Sequence, residues 1–176
     1  MALVVFLRGV NVGGNRTFQP SLVARALAQW DVVNVGAAGT FVIRKPIGEA
    51  IVRAEFLARL PFETHLTICR GRDLLDLAAA KPFSSTPAGN DTRPFVSVLA
   101  KRPRTLPRLP ISQPPGEKWQ VRIVAVSGKL VLSLWRRLGR TILYPNEVVE
   151  KHFGGPATTR NWNTIVTVCE ILRAGS

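Results

Sequence analysis

The first seventy residues switch between two hydrophobic periods in an order that few folds accept. Residues 2–8, "ALVVFLR", are an apolar run too short for a helix and suited to a strand buried on both faces. After a glycine-rich loop, "PSLVARALAQW" places Leu22, Val23, Ala26, Leu27 and Trp30 at helical spacing, with Pro20 suited to a first turn. "DVVNVGAAGTFVIRK" holds two β-rich runs about a small-residue turn at Gly36 to Gly39, the mark of a hairpin. "PIGEAIVRAEFLARL" carries Ile47, Ala50, Ile51, Ala54, Phe56, Leu57 and Leu60 as an amphipathic helix stopped by Pro61, and "HLTICR" follows as a strand. The order β-α-β-β-α-β is that of a ferredoxin-like unit, a four-stranded antiparallel sheet with two helices on one face.

Beyond Gly71 "RDLLDLAAA" reads as a short helix, "KPFSSTPAGNDTRP" as a turn-rich loop and "FVSVLA" as a strand. "KRPRTLPRLPISQPPG" holds five of the thirteen prolines, which excludes a helix or a central strand and predicts an exposed extended connection. "WQVRIVAVSGKLVLSLWRR" is a hairpin about Ser127-Gly128, and two helices, "NEVVEKHF" and "NWNTIVTVCEILR", close the chain. The fold expected is α+β: a ferredoxin-like subdomain over residues 1–70, then a second α/β-plait-like subdomain with C-terminal helices over 71–176, both with antiparallel sheets. No sequence repeat links the halves, so any duplication lies in the fold alone.

The chain carries 24 Lys and Arg against 11 Asp and Glu, a net charge of +13. From Asp91 to Arg140, eleven basic residues face only Asp91 and Glu117, so this stretch alone holds +9. A field of that sign favours polyanions through steering and counterion release. The plain alternative is a compositional preference for Arg and a solvated surface. No apolar run approaches the roughly 20 residues that span a bilayer, and the start lacks the basic region of a secretory leader. Cys69 and Cys169 form no CxxC pair and read as lone buried thiols in a reducing compartment. The expected location is the cytoplasm, with no membrane association.

Two stretches are candidates for a site. In "RGVNVGGNRT", Gly9 and Gly14 have the spacing of a phosphate-binding loop, but Asn15 and Arg16 stand where Lys and Ser/Thr are needed, so nucleotide hydrolysis has no apparatus. What remains is a strand-to-helix turn whose glycines can bare their amides to an anion, with Arg8, Asn11, Gly13, Gly14 and Arg16 around it, or a turn with a conformational role only. In "GGPATTRNWNTIVTVCEIL", Thr158 or Thr159 reads as a helix cap. That places Arg160, Asn161 and Trp162 at a helix start, suited to phosphate contact and base stacking. The competing reading packs Trp162 into the core and uses the polar groups to tie a loop. If both stretches lie together across the subdomain boundary, they form one shared anion site.

"FLRGVNVGGNR" near the start and "ATTRNWNTI" near the end, 150 residues apart, resemble the domain-of-unknown-function 1697 family of bacterial proteins. The resemblance covers nearly the whole chain. It implies two α/β-plait subdomains and no established activity. Where that family usually has Gln-Ser-Gly-Asn before its third strand, this chain has "GAAGTF", so a polar site built on that Gln and Asn has no counterpart here.

Groups for catalysis are sparse. His65 and His152 are the two neutral-pH bases and have no carboxylate at an obvious partnering distance in sequence. Asp73/Asp76 and Glu147/Glu150 lie near helix starts, where dipole compensation accounts for them. Clustered metal ligands are missing from the sequence, and no cofactor motif appears. The function expected is a non-enzymatic binding protein for an anionic partner, nucleic acid or another polyanion. The alternative is a protein that binds, or an enzyme that acts on, a small phosphate- or carboxylate-bearing ligand between the subdomains.

Overall fold

Strand β1 (Leu3–Leu7) is buried along its whole length and lies inside the first sheet, as its unbroken apolar sequence requires. The computed structural model describes residues 1–14, 17–86 and 91–175. The chain divides into two compact units, Met1–Ala79 with Val166–Ser176, and Ala80–Ile165. The fold is α+β, with a four-stranded and a five-stranded sheet, each antiparallel throughout.

In the first unit β1 is followed by α1 (Pro20–Ala26), β2 (Val32–Val35), β3 (Thr40–Ile43), α2 (Glu49–Leu57), β4 (Leu66–Arg70) and α3 (Gly71–Ala79). The sheet order β2-β3-β1-β4 is the ferredoxin-like arrangement that the order of elements predicts. The helices bury narrower faces than their apolar content suggests. In α2 the sheet receives Val52 and Phe56, one turn apart, while Ile51 and Leu57 remain 53% and 43% exposed. Phe56 meets Phe41 of β3 edge to face, with ring centroids 5.0 Å apart. In α1 Val23 is buried and Leu22 is 52% exposed. The i, i+4 spacing aims one stripe at a flat sheet, and apolar residues off that stripe stay in solvent.

The second unit holds β5 (Thr92–Leu99), β6 (Ile111–Gln113), β7 (Val121–Ser127), β8 (Leu130–Arg136), α4 (Pro145–Phe153) and β9 (Ala157–Asn161). Its sheet order is β6-β7-β8-β5-β9. With β6 set aside, β7-β8-β5-β9 has the order of β2-β3-β1-β4. The proline-rich connection and β6 stand where the first unit has α1. The halves share a topology without sharing a sequence repeat. The core on one face joins Leu99, Val121, Ile123 and Val131 to Val148 and Val149 of α4.

Two strands lie where the sequence pattern indicates none. β6 lies within the proline-rich stretch at the sheet edge, the position where missing N–H groups break no ladder. β9 occupies residues read as a helix start. Thr158 and Thr159 pair opposite Val98 and Ser97, and Thr159 Oγ1 lies 2.6 Å from Ser97 Oγ and donates to Asn146 Oδ1 at 2.8 Å. The Thr159 hydroxyl therefore ties β9 to β5 and to Asn146, and the cap moves to Asn161. Its Oδ1 accepts the Thr164 N–H at 2.8 Å, at the start of α5 (Trp162–Ala174).

Candidate functional site

The opening loop leaves β1 at the sheet end shared with the β2–β3 turn and the start of β4. Its base is fastened by backbone: Arg8 N donates to His65 O at 3.0 Å, and Arg8 O accepts from Thr64 Oγ1 at 2.7 Å. Asn11 sits at φ +53° and spends its amide inside the protein. Its Nδ2 donates to Phe18 O at 3.1 Å and to Ala37 O at 2.8 Å, and its Oδ1 accepts from Phe18 N at 2.9 Å. One side chain thus clips both ends of the loop to each other and to the hairpin turn. Gly39 in that turn has φ +75°, and a Cβ there would lie 2.8 Å from both Leu7 Cβ and Val10 Cγ2. Only glycine fits so close an approach.

Gly13 and Gly14 are exposed, with φ +59° and +77°, and a Cβ added at either meets no described residue beyond its chain neighbours within 4 Å. Arg16 lies outside the described residues. A cleft of about 770 Å³ opens beside the base of the loop, lined by Leu60, Phe62, Glu63, Thr64 and His65 among others; none of the lining residues belongs to 8–14.

Arg160, Asn161 and Trp162 share the junction from β9 to α5 in the second unit. Burial pushes the Arg160 guanidinium down to about 10, still charged at neutral pH, and its Nη1 donates to Thr159 O at 2.9 Å. Asn161 is the helix cap, and the Trp162 ring meets Phe83 edge to face at 5.1 Å. The contacts described for these three residues, to Thr159, Thr164 and Phe83, all lie within the second unit. Both cysteines are buried free thiols; burial raises the Cys169 thiol, which donates to Leu74 O at 3.5 Å.

A different group emerges at one end of the second sheet. The register sets Thr92 opposite Arg136, Arg93 opposite Trp135, and Val121 opposite Trp135. The starts of β5 and β7 and the end of β8 therefore coincide. Arg93, Lys118, Arg122, Arg136, Arg137 and Arg140 lie on these ends or the loops leaving them. Trp119, 8% exposed, organises two of them: Arg122 Cζ and Arg136 Cζ lie 4.3 Å and 4.1 Å from its ring centroid. Arg136 Nε donates to Trp119 O at 2.7 Å and its Nη2 to Glu117 O, while Arg122 Nε donates to Ser112 Oγ at 2.9 Å.

None of the six cations forms an ion pair with a described residue. In the first unit, by contrast, Arg44, Arg59 and Arg72 stand against Asp31, Glu55 and Asp76. The Asp31 carboxyl is held below its ordinary range, first by its hydrogen bond to Arg44. The charge of residues 91–140 is legible in the sequence. Its grouping at one sheet end, and the Trp119 contact, depend on strand pairing.

Two antiparallel plait sheets in one chain, the second with a basic end that pairs with no described acid, define a tandem-plait α+β protein. The profile of the family described as "Protein of unknown function (DUF1697)" matches residues 1–126, and the chain belongs to that family. The fold is shared with the structure of conserved bacterial protein SP0830 from Streptococcus pneumoniae, at TM-score 0.62 and 16% identity, covering 97% of this chain and 98% of that one. No curated protein matches. Among the described residues no helix is long and apolar enough to cross a membrane.

Proposed function

We propose that this protein binds an anionic partner, nucleic acid, through the basic end of its second sheet. The observation that carries this reading is the set of six cations without an ion-pair partner among the described residues. Like charges held together destabilise a fold unless solvent or a counter-charge screens them. Arg122 and Arg136 are fastened by a tryptophan ring, two carbonyls and a serine, contacts that orient a guanidinium without neutralising it. A guanidinium already oriented loses less freedom on meeting a phosphate.

The test is fluorescence polarisation of labelled RNA and DNA oligonucleotides at two salt concentrations. The combined Arg93→Gln, Arg137→Gln, Arg140→Gln variant alters exposed side chains only. Each phosphate contact removed lowers the slope of log Kd on log salt by about 0.7–0.9. Absence of binding at low salt, or an unchanged slope in the variant, refutes the reading.

A second, smaller reading draws on Gly13 and Gly14. Both are exposed and at positive φ, the backbone geometry in which successive amides can turn toward the phosphate or carboxylate of a small ligand. Asn11 is not part of such a contact, because its amide is already used. A thermal-shift screen of phosphate- and carboxylate-bearing compounds tests this: a ligand at a hundredfold excess over Kd stabilises by about 2.7 kcal/mol. Ligand-induced shifts of the Gly13 and Gly14 amide resonances locate the site.

A further inference from the structure

Resting on the nucleic-acid reading, we infer that the partner is single-stranded and that one of its bases stacks on Tyr144. This is the chain's single tyrosine, and it is 54% exposed. A lone exposed aromatic is ordinary on a protein surface; its placement is what distinguishes this one. Leu143 N donates to Gln120 Oε1 at 2.9 Å, and Leu143 O accepts from Trp135 Nε1 at 2.8 Å. Gln120 O in turn accepts the Arg136 N–H at 2.8 Å. Residue 143 is thereby pinned between the start of β7 and the end of β8, where the six cations gather.

Tyr144 follows one residue later, about 3.8 Å on between Cα atoms. Its backbone is extended, φ −95° and ψ 142°, and the buried Pro145 opens α4 directly after it. The backbone carrying the ring is fixed on both sides, so a stacking partner needs to order only the side chain. The neighbouring aromatics are committed elsewhere: Trp119 is buried under Arg122 and Arg136, and Trp135 packs against Phe95, with ring centroids 6.3 Å apart.

Cations alone bind any polyanion. An exposed ring beside them adds affinity only for a partner that offers the face of a base, and in a duplex those faces are stacked on one another. Tyr144 therefore separates single strands from duplexes where the charges do not.

Two measurements test this on the full chain. Tyr144→Ala is expected to weaken binding of a pyrimidine single strand of about twelve nucleotides roughly tenfold or more, leave a duplex of equal length unaffected, and be rescued by Tyr144→Phe. Independently of any variant, the unaltered protein is expected to bind an abasic strand of the same length more weakly by a similar factor, since that strand keeps every phosphate and lacks the bases. Equal affinity for the abasic and base-bearing strands, or an unchanged single-strand affinity in a folded Tyr144→Ala, overturns the stacking inference and leaves the charge reading standing. Absence of binding by the unaltered protein to every oligonucleotide at low salt, duplex included, removes both.

Discussion

Replacing Asn11 separates what the opening loop does from what its glycines suggest. Asn11→Ala removes two hydrogen bonds to Phe18 and one to Ala37, at 2.8–3.1 Å. At a net 0.5–1.5 kcal/mol each, with the exposed Ala37 bond at the low end, the loss is about 2–3 kcal/mol. Alanine must also hold φ +53°, which adds about 1 kcal/mol relative to asparagine. The expected total is about 3–4 kcal/mol, or a Tm lower by roughly 6–15 °C for a chain of this length. Asn11→Gly loses the same bonds but tolerates the dihedral, so it should recover about 1 kcal/mol of the deficit. Urea unfolding of the three proteins, followed by far-UV circular dichroism, measures both steps. The latch account is refuted by an Asn11→Ala variant within 0.5 kcal/mol of the parent, or by a glycine variant as unstable as the alanine one. Oligonucleotide affinity of the folded variants should not change.

Ser133 is fully buried, its Oγ has no hydrogen-bond partner among the described residues, and it sits opposite Phe95 and Ile123. Ser133→Ala should leave stability unchanged or raise it by up to about 1 kcal/mol; a clear fall in Tm by calorimetry would show an unseen partner. Asp31 and Arg44 give a pH-dependent contribution of definite sign. The folded carboxyl titrates below the unfolded one, so the contribution is complete above the ordinary aspartate range and lost as pH falls through the depressed value. Carbonyl NMR titration should place Asp31 below its ordinary range and return it there in Arg44→Gln. An identical titration in both proteins would contradict the pairing.

The first plait was legible because its elements are local: each strand and helix carries its own period, and β2–β3 is a short hairpin whose turn glycines mark it. The opening loop was half legible. Its glycines announced positive φ, but nothing in "RGVNVGGNRT" shows that Asn11 reaches Phe18 and Ala37, a clip closed by residues seven and twenty-six positions away. β6 and β9 escaped for related reasons. β6 is three residues long among prolines, and it is a strand only because β7 stands beside it. The "TTRN" stretch carries polar residues that serve a cap as readily as a strand edge, and pairing with β5 decided between them. Charge was determined by the amino-acid sequence alone, since composition needs no geometry. Which of those charges stand together, which pair with no described acid and which aromatic is left outside depend on strand register, and register is a property of contacts between segments distant along the chain.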